Sequence, residues 1–234
     1  QFEDEVSYKG GHYAASKHVK AHYAGMIARM DRRVGEVLSK LAELGIDENT
    51  VVSFTSDNGP HFEGGYNPSL FNSSGGLRGG KRDLYEGGIR VPLVVRWPAG
   101  IQAGRISEHP SAFWDFLPTA CDLAGVTSPM GIQGVSYLAA MTGKRSQTSH
   151  PYLYWEFHEK GGRVALRQGD WKLIRYDVNK ENPKPSELYD LRADPSESND
   201  LAEKYPSKVR DLRRLISQAR EMSPQSKWNF VKPL

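Results

Sequence analysis

The sequence lacks the features that define several protein classes. It has a single cysteine, Cys121, which excludes an internal disulfide framework and a zinc site built from several cysteines. Uninterrupted apolar runs, such as residues 91–95, are too short for a transmembrane helix. Lysine and arginine (31) barely exceed aspartate and glutamate (28), and the net charge of +3 is spread along the chain. We therefore expect neither a membrane nor a nucleic acid as a partner.

The remaining composition is that of an ordinary globular protein. The 234 residues are 38% hydrophobic and 25% charged, which argues against a disordered, collagenous or coiled-coil chain. Residues 1–5 contain no initiator methionine, no basic segment and no apolar segment. A processed mature protein or an internal segment of a longer protein could begin in this way.

The first part of the chain has the pattern of an α/β domain. Apolar residues at helical spacing predict an amphipathic helix over 21–44, and Gly45 follows at the position of a helix C-cap. An apolar, β-branched run at 49–56 predicts a buried strand, the run at 90–97 predicts a second strand, and 113–124 predicts a second helix. We expect part of a sandwich with a mixed, mostly parallel sheet flanked by helices.

The last part of the chain predicts a small α+β subdomain. Four short aromatic runs separated by turn residues predict an antiparallel sheet, at 152–157, 163–167, 171–176 and 187–191. Apolar residues at helical spacing over 208–222 predict one helix that covers this sheet. We place the domain boundary between 1–145 and 146–234.

Asp57 and Asn58 directly follow the first predicted strand and open a long, glycine-rich loop. Ligands of α/β sheets bind beyond the carboxyl ends of the strands. A carboxylate and an amide there offer hard oxygen atoms, which suit Ca²⁺ or Mg²⁺. The alternative is a plain turn, because Asn-Gly is among the commonest turn dipeptides.

A second candidate cluster combines paired glycines with basic residues over 77–92. Glycine pairs allow the backbone to approach a ligand closely, and Lys81 offers a positive charge to an oxyanion. The segment does not have the P-loop pattern. In the alternative interpretation, the charged residues of this segment pair only with one another. The arginines Arg78, Arg82 and Arg90 would then pair with Asp83 and Glu86.

Two further side chains have both a functional and a structural interpretation. His61 is the histidine nearest in sequence to Asp57 and Asn58, although a histidine in a polar loop is more often a surface residue. Cys121 lies inside a predicted helix with no basic neighbour, which favours a small apolar packing residue over a reactive thiol.

Several motifs, in this order, resemble those of the C-terminal half of the type I sulfatases, arylsulfatase-like members of the alkaline phosphatase superfamily. The matching segments are YAGMIARMD (23–31), FTSDNG (54–59), LRGGK (77–81), YEGGIRVP (85–92), WPAG (97–100), DFLPT (115–119), GDWK (169–172) and LYDL (188–191). Each motif is modest alone. Their order and spacing make the resemblance specific, and it covers nearly the whole chain after about residue 20.

The resemblance implies a site and a chemistry. Asp57 and Asn58 correspond to ligands of the family's divalent cation, usually Ca²⁺ with Mg²⁺ as an alternative, and Lys81 to the lysine that contacts the sulfate oxygens. The substrate would be a sulfated small molecule or carbohydrate. We favour a carbohydrate, with His61 and residues 154–159 shaping a sugar-binding cleft. The resemblance also implies a periplasmic or secreted location.

The sequence departs from the family pattern at the nucleophile. The family uses a formylglycine made from a Cys/Ser-x-Pro-x-Arg motif. Cys121 is followed by Asp-Leu, and the partial match at 149–151 has Leu153 in place of arginine. We therefore expect the formylglycine and further metal ligands upstream, and Gln1 not to be a natural start. Two oxygen ligands cannot fill a calcium shell, so we expect weak metal binding and no activity from the isolated chain.

Two other functions stay open at this point. The first is a phosphatase or phosphonate monoester hydrolase of the same superfamily, which the upstream nucleophile motif would distinguish. The second is a non-catalytic, calcium-dependent carbohydrate-binding module, which tight binding of both calcium and sugar by the isolated chain would support.

Overall fold

The structure, a computed structural model, describes residues 7–144 and 146–230. Its helices are α1 (Val19–Glu43), α2 (Glu86–Ile89), α3 (Phe116–Ala124), α4 (Leu138–Thr142) and α5 (Pro206–Ala219). Its strands are β1 (Val52–Thr55), β2 (Leu93–Arg96), β3 (Leu153–Phe157), β4 (Arg163–Gln168), β5 (Trp171–Tyr176) and β6 (Glu187–Asp190). The α/β class is confirmed. Among the described residues, no helix is long and apolar enough to cross a membrane.

The chain divides into two compact units, each built from separate stretches of sequence. We call the described residues 7–24, 56–91 and 151–230 the sheet unit, and 25–55, 92–144 and 146–150 the helical unit. The division into domains 1–145 and 146–234 stays a prediction. Residue 145 on that boundary, and Gln1, lie outside the described residues.

The sheet unit contains the predicted antiparallel sheet with its covering helix. The strand order is β3-β4-β5-β6, and all three pairings are antiparallel. Side chains alternate between the two faces of the sheet, so Val164 and Leu166 lie on one face and Ala165 on the other. Leu212 and Ile216 of α5 pack with Val164 and Leu166 in a buried apolar cluster. This part of the prediction is confirmed.

The opposite face of the same sheet is also covered. Ala165 and Ile174 pack there with Leu84 and Tyr85, which belong to the glycine-rich segment that precedes α2. Leu84 and Tyr85 are buried. The sheet is therefore the support on which this segment rests, and it links the C-terminal subdomain directly to the predicted site.

The helical unit contains α3, α4, most of α1 and a two-stranded sheet. β1 and β2 pair antiparallel, with Val52 opposite Arg96 and Thr55 opposite Leu93. The predicted mixed, mostly parallel sheet is not found within the described residues. Parallel neighbours need a crossover connection, usually a packed helix, whereas residues 56–92 between these strands contain no helix longer than four residues.

The burial predicted for the first strand is wrong. Phe54 of β1 is exposed, and Val94 of β2 is 61% exposed. The apolar face of α1 is uncovered as well, with Met26 at 62% exposure. Amphipathic spacing specifies which side chains share a face, but burial requires a second surface, and the described residues do not supply one.

The core of the helical unit is small and is centred on a buried carboxylate. Asp115 accepts hydrogen bonds from the backbone N–H groups of Ala112 and Val135, both at 2.8 Å, and contacts His150 Nε2 at 2.7 Å. Gly125 ends α3 in the left-handed region at φ +68°.

Candidate functional site

Residues 56–59 form a tight turn directly after β1. Ser56 Oγ donates to the Asn58 carbonyl at 2.8 Å, and Asn58 Nδ2 donates to the Gly59 carbonyl at 3.0 Å. The amide nitrogen of Asn58 is thus occupied within the turn, which leaves its side-chain oxygen as the atom available to a ligand. Asp57 is exposed and Asn58 is half-buried.

Two backbone hydrogen bonds join this turn to the glycine-rich segment. Gly59 N–H donates to the Gly88 carbonyl at 2.9 Å, and Lys81 N–H donates to the Pro60 carbonyl at 2.8 Å. The two motifs that the sequence singled out separately are therefore adjacent in space.

The glycines make this close approach possible. A Cβ atom at Gly59 would lie 1.8 Å from the Gly87 carbonyl oxygen, and one at Gly87 would lie 2.4 Å from the Arg78 carbonyl oxygen. Both distances are far below van der Waals contact. The glycine pairs were expected to let the backbone approach a ligand, but here they let one backbone segment pack against another.

A hollow of about 340 Å³ lies beside the joined segments. It is lined by Asn58, Lys81, Arg82, Asp83, Leu84, Gly88, Ile89, Trp155, Glu156, Phe157 and Glu159. Two of the four predicted site residues, Asn58 and Lys81, meet there, and most of the predicted cleft segment 154–159 joins them. Asp57 and His61 are not among the lining residues. The roles assigned to all four residues stay predictions.

One wall of the hollow comes from β3 and the residue pair that follows it. On β3, Glu156 is held by three partners: Tyr154 donates to it, Arg220 Nε donates at 3.0 Å and His158 Nε2 contacts it at 2.7 Å. Trp155 and Phe157 pack on the neighbouring apolar cluster. The wall therefore combines aromatic rings with the carboxylate of Glu156, whose position is fixed.

His61 has a structural role within its own loop. Its Nδ1 accepts a hydrogen bond from Glu63 N–H at 3.1 Å, and its ring lies 5.6 Å from the ring of Tyr66. Tyr66 in turn stacks on Tyr23 at 3.9 Å. These contacts fix the loop that follows the Asp57–Asn58 turn.

The charged side chains around the hollow form pairs, and these are mostly not the ones considered from sequence, of which Arg90 approaches Glu86 at 3.9 Å. Arg82 pairs with Glu63 at 2.6 Å, and Arg163 pairs with Asp83 at 2.6 Å. The Tyr13 hydroxyl also donates to Glu63, and this bond together with Arg82 lowers the pKa of Glu63 to about 2. Glu63 therefore carries a full negative charge at neutral pH.

The oxygen atoms of Asp57 and Asn58 are of the type that a hard cation prefers, but they are too few to complete its coordination shell. Asp57 offers a carboxylate and Asn58 an amide oxygen, the ligand types that Ca²⁺ and Mg²⁺ prefer. Within residues 7–144 and 146–230, no group of three or more His, Cys, Asp or Glu side chains is arranged to hold a metal. Further ligands are needed for a complete shell of six to eight oxygens.

The sequence analysis missed a buried ionic cluster beneath the site. Lys172 of β5 lies between Glu86 Oε1 at 2.8 Å and Glu197 Oε1 at 2.9 Å, and all three side chains are enclosed. Lys172 belongs to the GDWK motif and is, with Arg175, one of two charged residues in the otherwise apolar run 171–176. A single lysine at an inward-facing strand position indicates a buried pair, and that pattern could have revealed it.

Comparisons with known proteins give consistent results over most of the chain. A family model described as Sulfatase matches residues 2–126. A second, described as N-sulphoglucosamine sulphohydrolase, C-terminal, matches residues 79–222. Among curated proteins, an N-acetylgalactosamine-6-O-sulfatase of Bacteroides thetaiotaomicron is 32% identical over 212 residues, which is 83% of this chain and 41% of that protein. A steryl-sulfatase of Mus musculus is 37% identical over 171 residues, 70% of this chain and 27% of that protein.

Solved structures show the same similarity in three dimensions. A protein in complex with its substrate D-glucosamine-2-N,6-O-disulfate has a TM-score of 0.67 at 27% identity, over 88% of this chain and 40% of that one. Ps i-CgsB in complex with k-i-k-neocarrahexaose has a TM-score of 0.72 at 28% identity, over 90% of this chain and 44% of that one. The chain thus spans less than half the length of the relatives that it matches.

Proposed function

Because the chain belongs to the sulfatase family, we propose that the protein containing it hydrolyses a sulfate ester of a carbohydrate. One observation carries this proposal: Asn58 and Lys81, which come from separate sequence motifs, line the same hollow. Asn58 offers an oxygen ligand to a divalent cation, and Lys81 carries an ammonium. A bound cation and this ammonium beside one cavity would together suit an anionic group with several oxygens.

Each residue has a distinct task in this proposal. Asn58 and Asp57 supply two oxygen ligands to a divalent cation, which contributes positive charge to the sulfate group when it is bound. Lys81 holds a sulfate oxygen from the side of the glycine-rich segment. The hydrogen bond from Lys81 N–H to Pro60 fixes the Lys81 backbone, so the side chain starts from a set position relative to the Asn58 turn.

The wall of the hollow favours a carbohydrate over an apolar alcohol. Glu156 and Glu159 offer hydrogen-bond acceptors for sugar hydroxyl or amide groups, and Trp155 and Phe157 offer aromatic surface. The exposed carboxylate of Glu159 is available to a sugar hydroxyl, which the apolar rings of a sterol do not offer. The carbohydrate-directed relatives support this preference, although steryl-sulfatases are equally similar in sequence.

The nucleophile remains outside this assignment. We propose that the complete protein carries a formylglycine and the remaining cation ligands outside this chain, in a region that corresponds to the part of the relatives that the chain does not span. The residues of this chain bind, orient and neutralise the sulfate group, and they supply no covalent step.

The test is hydrolysis by the complete protein that contains this chain. We expect release of sulfate from a 6-O-sulfated N-acetylhexosamine and slower release from a sterol sulfate. Lys81→Ala and Asn58→Ala should each lower kcat about 10²–10³-fold, the usual effect of removing one charge-stabilising group. Lys204→Ala removes an exposed lysine elsewhere in the sheet unit and should leave the rate unchanged.

Two results would overturn the assignment. Full activity in the Lys81→Ala, Asn58→Ala and Asp57→Ala variants would remove these residues from the site. Faster hydrolysis of a phosphate ester than of the matching sulfate ester would instead support a phosphatase of the same superfamily.

A further inference from the structure

The buried cluster of Lys172, Glu86 and Glu197 has an unusual charge composition. One ammonium lies between two carboxylates, within 2.8 Å of Glu86 and 2.9 Å of Glu197, and Lys172 and Glu197 are fully buried. Arg90 and Arg167 approach the second oxygen of Glu86 only to 3.9 Å. Buried ionic clusters contribute little net stability compared with well-packed apolar residues. Their position in the fold is therefore the more informative property.

Glu197 connects both ends of the segment that contains Lys81. Its Oε2 accepts a hydrogen bond from the Glu86 backbone N–H at 2.5 Å. Its own carbonyl accepts a hydrogen bond from Arg78 NH1 at 2.8 Å. Arg78 lies three residues before Lys81, and Glu86 lies five residues after it. Gly87 N–H donates a hydrogen bond to the Arg78 carbonyl at 2.7 Å, which closes the loop.

The same contacts extend to the cation ligands. Glu86 begins α2, and Gly88, two residues later, accepts the hydrogen bond from Gly59 N–H at 2.9 Å. Gly59 directly follows Asn58. A displacement of Glu86 would therefore move both the Asn58 turn and the Lys81 loop.

The backbone of Glu197 gives an independent indication of a constrained position. Its φ is +53°, in the left-handed region that non-glycine residues rarely adopt. Such a conformation persists where surrounding contacts over-determine it, and such residues cluster at functional sites. Burial also raises the pKa of the Glu197 carboxyl, although Lys172 opposes this effect.

We propose that Glu197, held by Lys172, is a positioning residue that sets the separation of Asn58 and Lys81 across the hollow. This inference rests on the proposed function for its effect on catalysis, but its structural part does not. Glu197 touches no substrate in this proposal and acts only through Glu86 and Arg78.

The first experiment is hydrogen exchange on the chain itself. In Glu197→Ala, the amides of Gly59, Lys81 and Gly87 should exchange at least tenfold faster, while the amides of β4 keep their protection. Glu197→Gln retains an oxygen for the Glu86 N–H and should restore most of the protection. Glu203→Ala, an exposed glutamate nearby, is the matched control and should change nothing.

The second experiment measures kinetics in the complete protein, well below the melting temperature of each variant. Glu197→Ala should lower kcat about 100-fold, the size expected for a misplacement of about 1 Å, with a smaller change in KM. Glu197→Gln should recover most of the loss. If Glu197→Ala fails to fold, Glu197→Gln must still show faster exchange confined to 57–61 and 78–88 and a reduced kcat.

The outcomes separate the two proposals. Unchanged exchange at Gly59 and Lys81 in a folded variant would overturn the positioning role. Faster exchange with unchanged kcat on a sulfate ester would also overturn it, while the proposed function would stand. A wild-type protein that hydrolyses no sulfate ester would refute the proposed function, and the exchange data would still decide whether Glu197 holds the segment.

Discussion

The two compact units of the chain bury their apolar side chains to very different extents. In the sheet unit, β4, β5 and β6 are enclosed by α5 on one face and by Leu84 and Tyr85 on the other. In the helical unit, α1, β1 and β2 leave large apolar side chains exposed, and Tyr137 is the one large hydrophobic residue buried among its described residues. The sheet unit has an apolar core of its own, whereas the helical unit needs a further surface to cover its strands and α1.

The largest expected difference concerns the cores. Leu166→Ala in β4 removes a fully buried side chain and should lower the free energy of unfolding by about 2–5 kcal/mol. Val94→Ala in β2 removes a mostly exposed one and should change it by no more than about 0.5 kcal/mol. Denaturant unfolding, with hydrogen exchange as the probe of each strand, measures both changes in the free energy of unfolding. Equal losses would mean that the two units do not differ as described.

A second contrast uses one substitution in each unit. Gly59→Ala places a Cβ 1.8 Å from the Gly87 carbonyl and should destabilise the sheet unit by about 1–3 kcal/mol. At Gly25 in α1, an added Cβ meets no atom within 4 Å apart from the neighbouring backbone of the helix itself. Gly25→Ala should therefore stabilise the helix by about 0.5–1 kcal/mol. Thermal unfolding of the two variants should shift in opposite directions. A tolerated Gly59→Ala would contradict the close backbone packing at the site.

A third prediction addresses the exposed face of α1. Ile27→Gln with Met30→Gln should lower the binding of an apolar dye by the chain, because both side chains belong to one uncovered face. The free energy of unfolding should change by less than about 0.5 kcal/mol. Met222→Gln, an isolated exposed methionine in the sheet unit, is the control and should barely affect the dye. Unchanged dye binding in the double variant would show that this face of α1 is not the apolar surface to which the dye binds.

The smallest effect is the pH dependence of Glu63. The folded-state pKa is about 2, below the ordinary value of 4.5, because Tyr13 and Arg82 favour the charged carboxylate. Glu63 therefore stabilises the fold above pH 4.5, and the contribution is lost as the pH falls towards 2. The difference in melting temperature between wild type and Glu63→Gln should be present at pH 6 and should shrink below pH 4.5. Glu203→Gln should show no difference at either pH.

The sequence predicted the elements well and their surroundings poorly. The helix over 21–44 corresponds to Val19–Glu43, and the strand over 171–176 to Trp171–Tyr176, because periodicity and turn residues act locally. The direction of β1 relative to β2 and the exposure of Phe54 depend on which strands and helices lie alongside. Such information is not contained in the spacing of apolar residues.

The candidate site shows the same limit. Composition placed Asp57, Asn58 and Lys81 in functional loops, and the structure brings Asn58 and Lys81 to one hollow. Glu197 had no local pattern to identify it, because its role arises from pairing across more than a hundred positions with Glu86 and Arg78. Lys172 was visible only as a charged residue in an apolar run. Long-range pairing of buried charges becomes visible only once the fold is known.

The contact between Arg78 and Glu197 has a consequence for biosynthesis. The two residues are 119 positions apart. At a translation rate of roughly 5–20 residues per second, they leave the ribosome about 6–24 s apart. A nascent chain that ends before Glu197 carries Asp57, Asn58 and Lys81 without the contacts that hold them together. The hollow is therefore assembled late, after the C-terminal strands have emerged and folded.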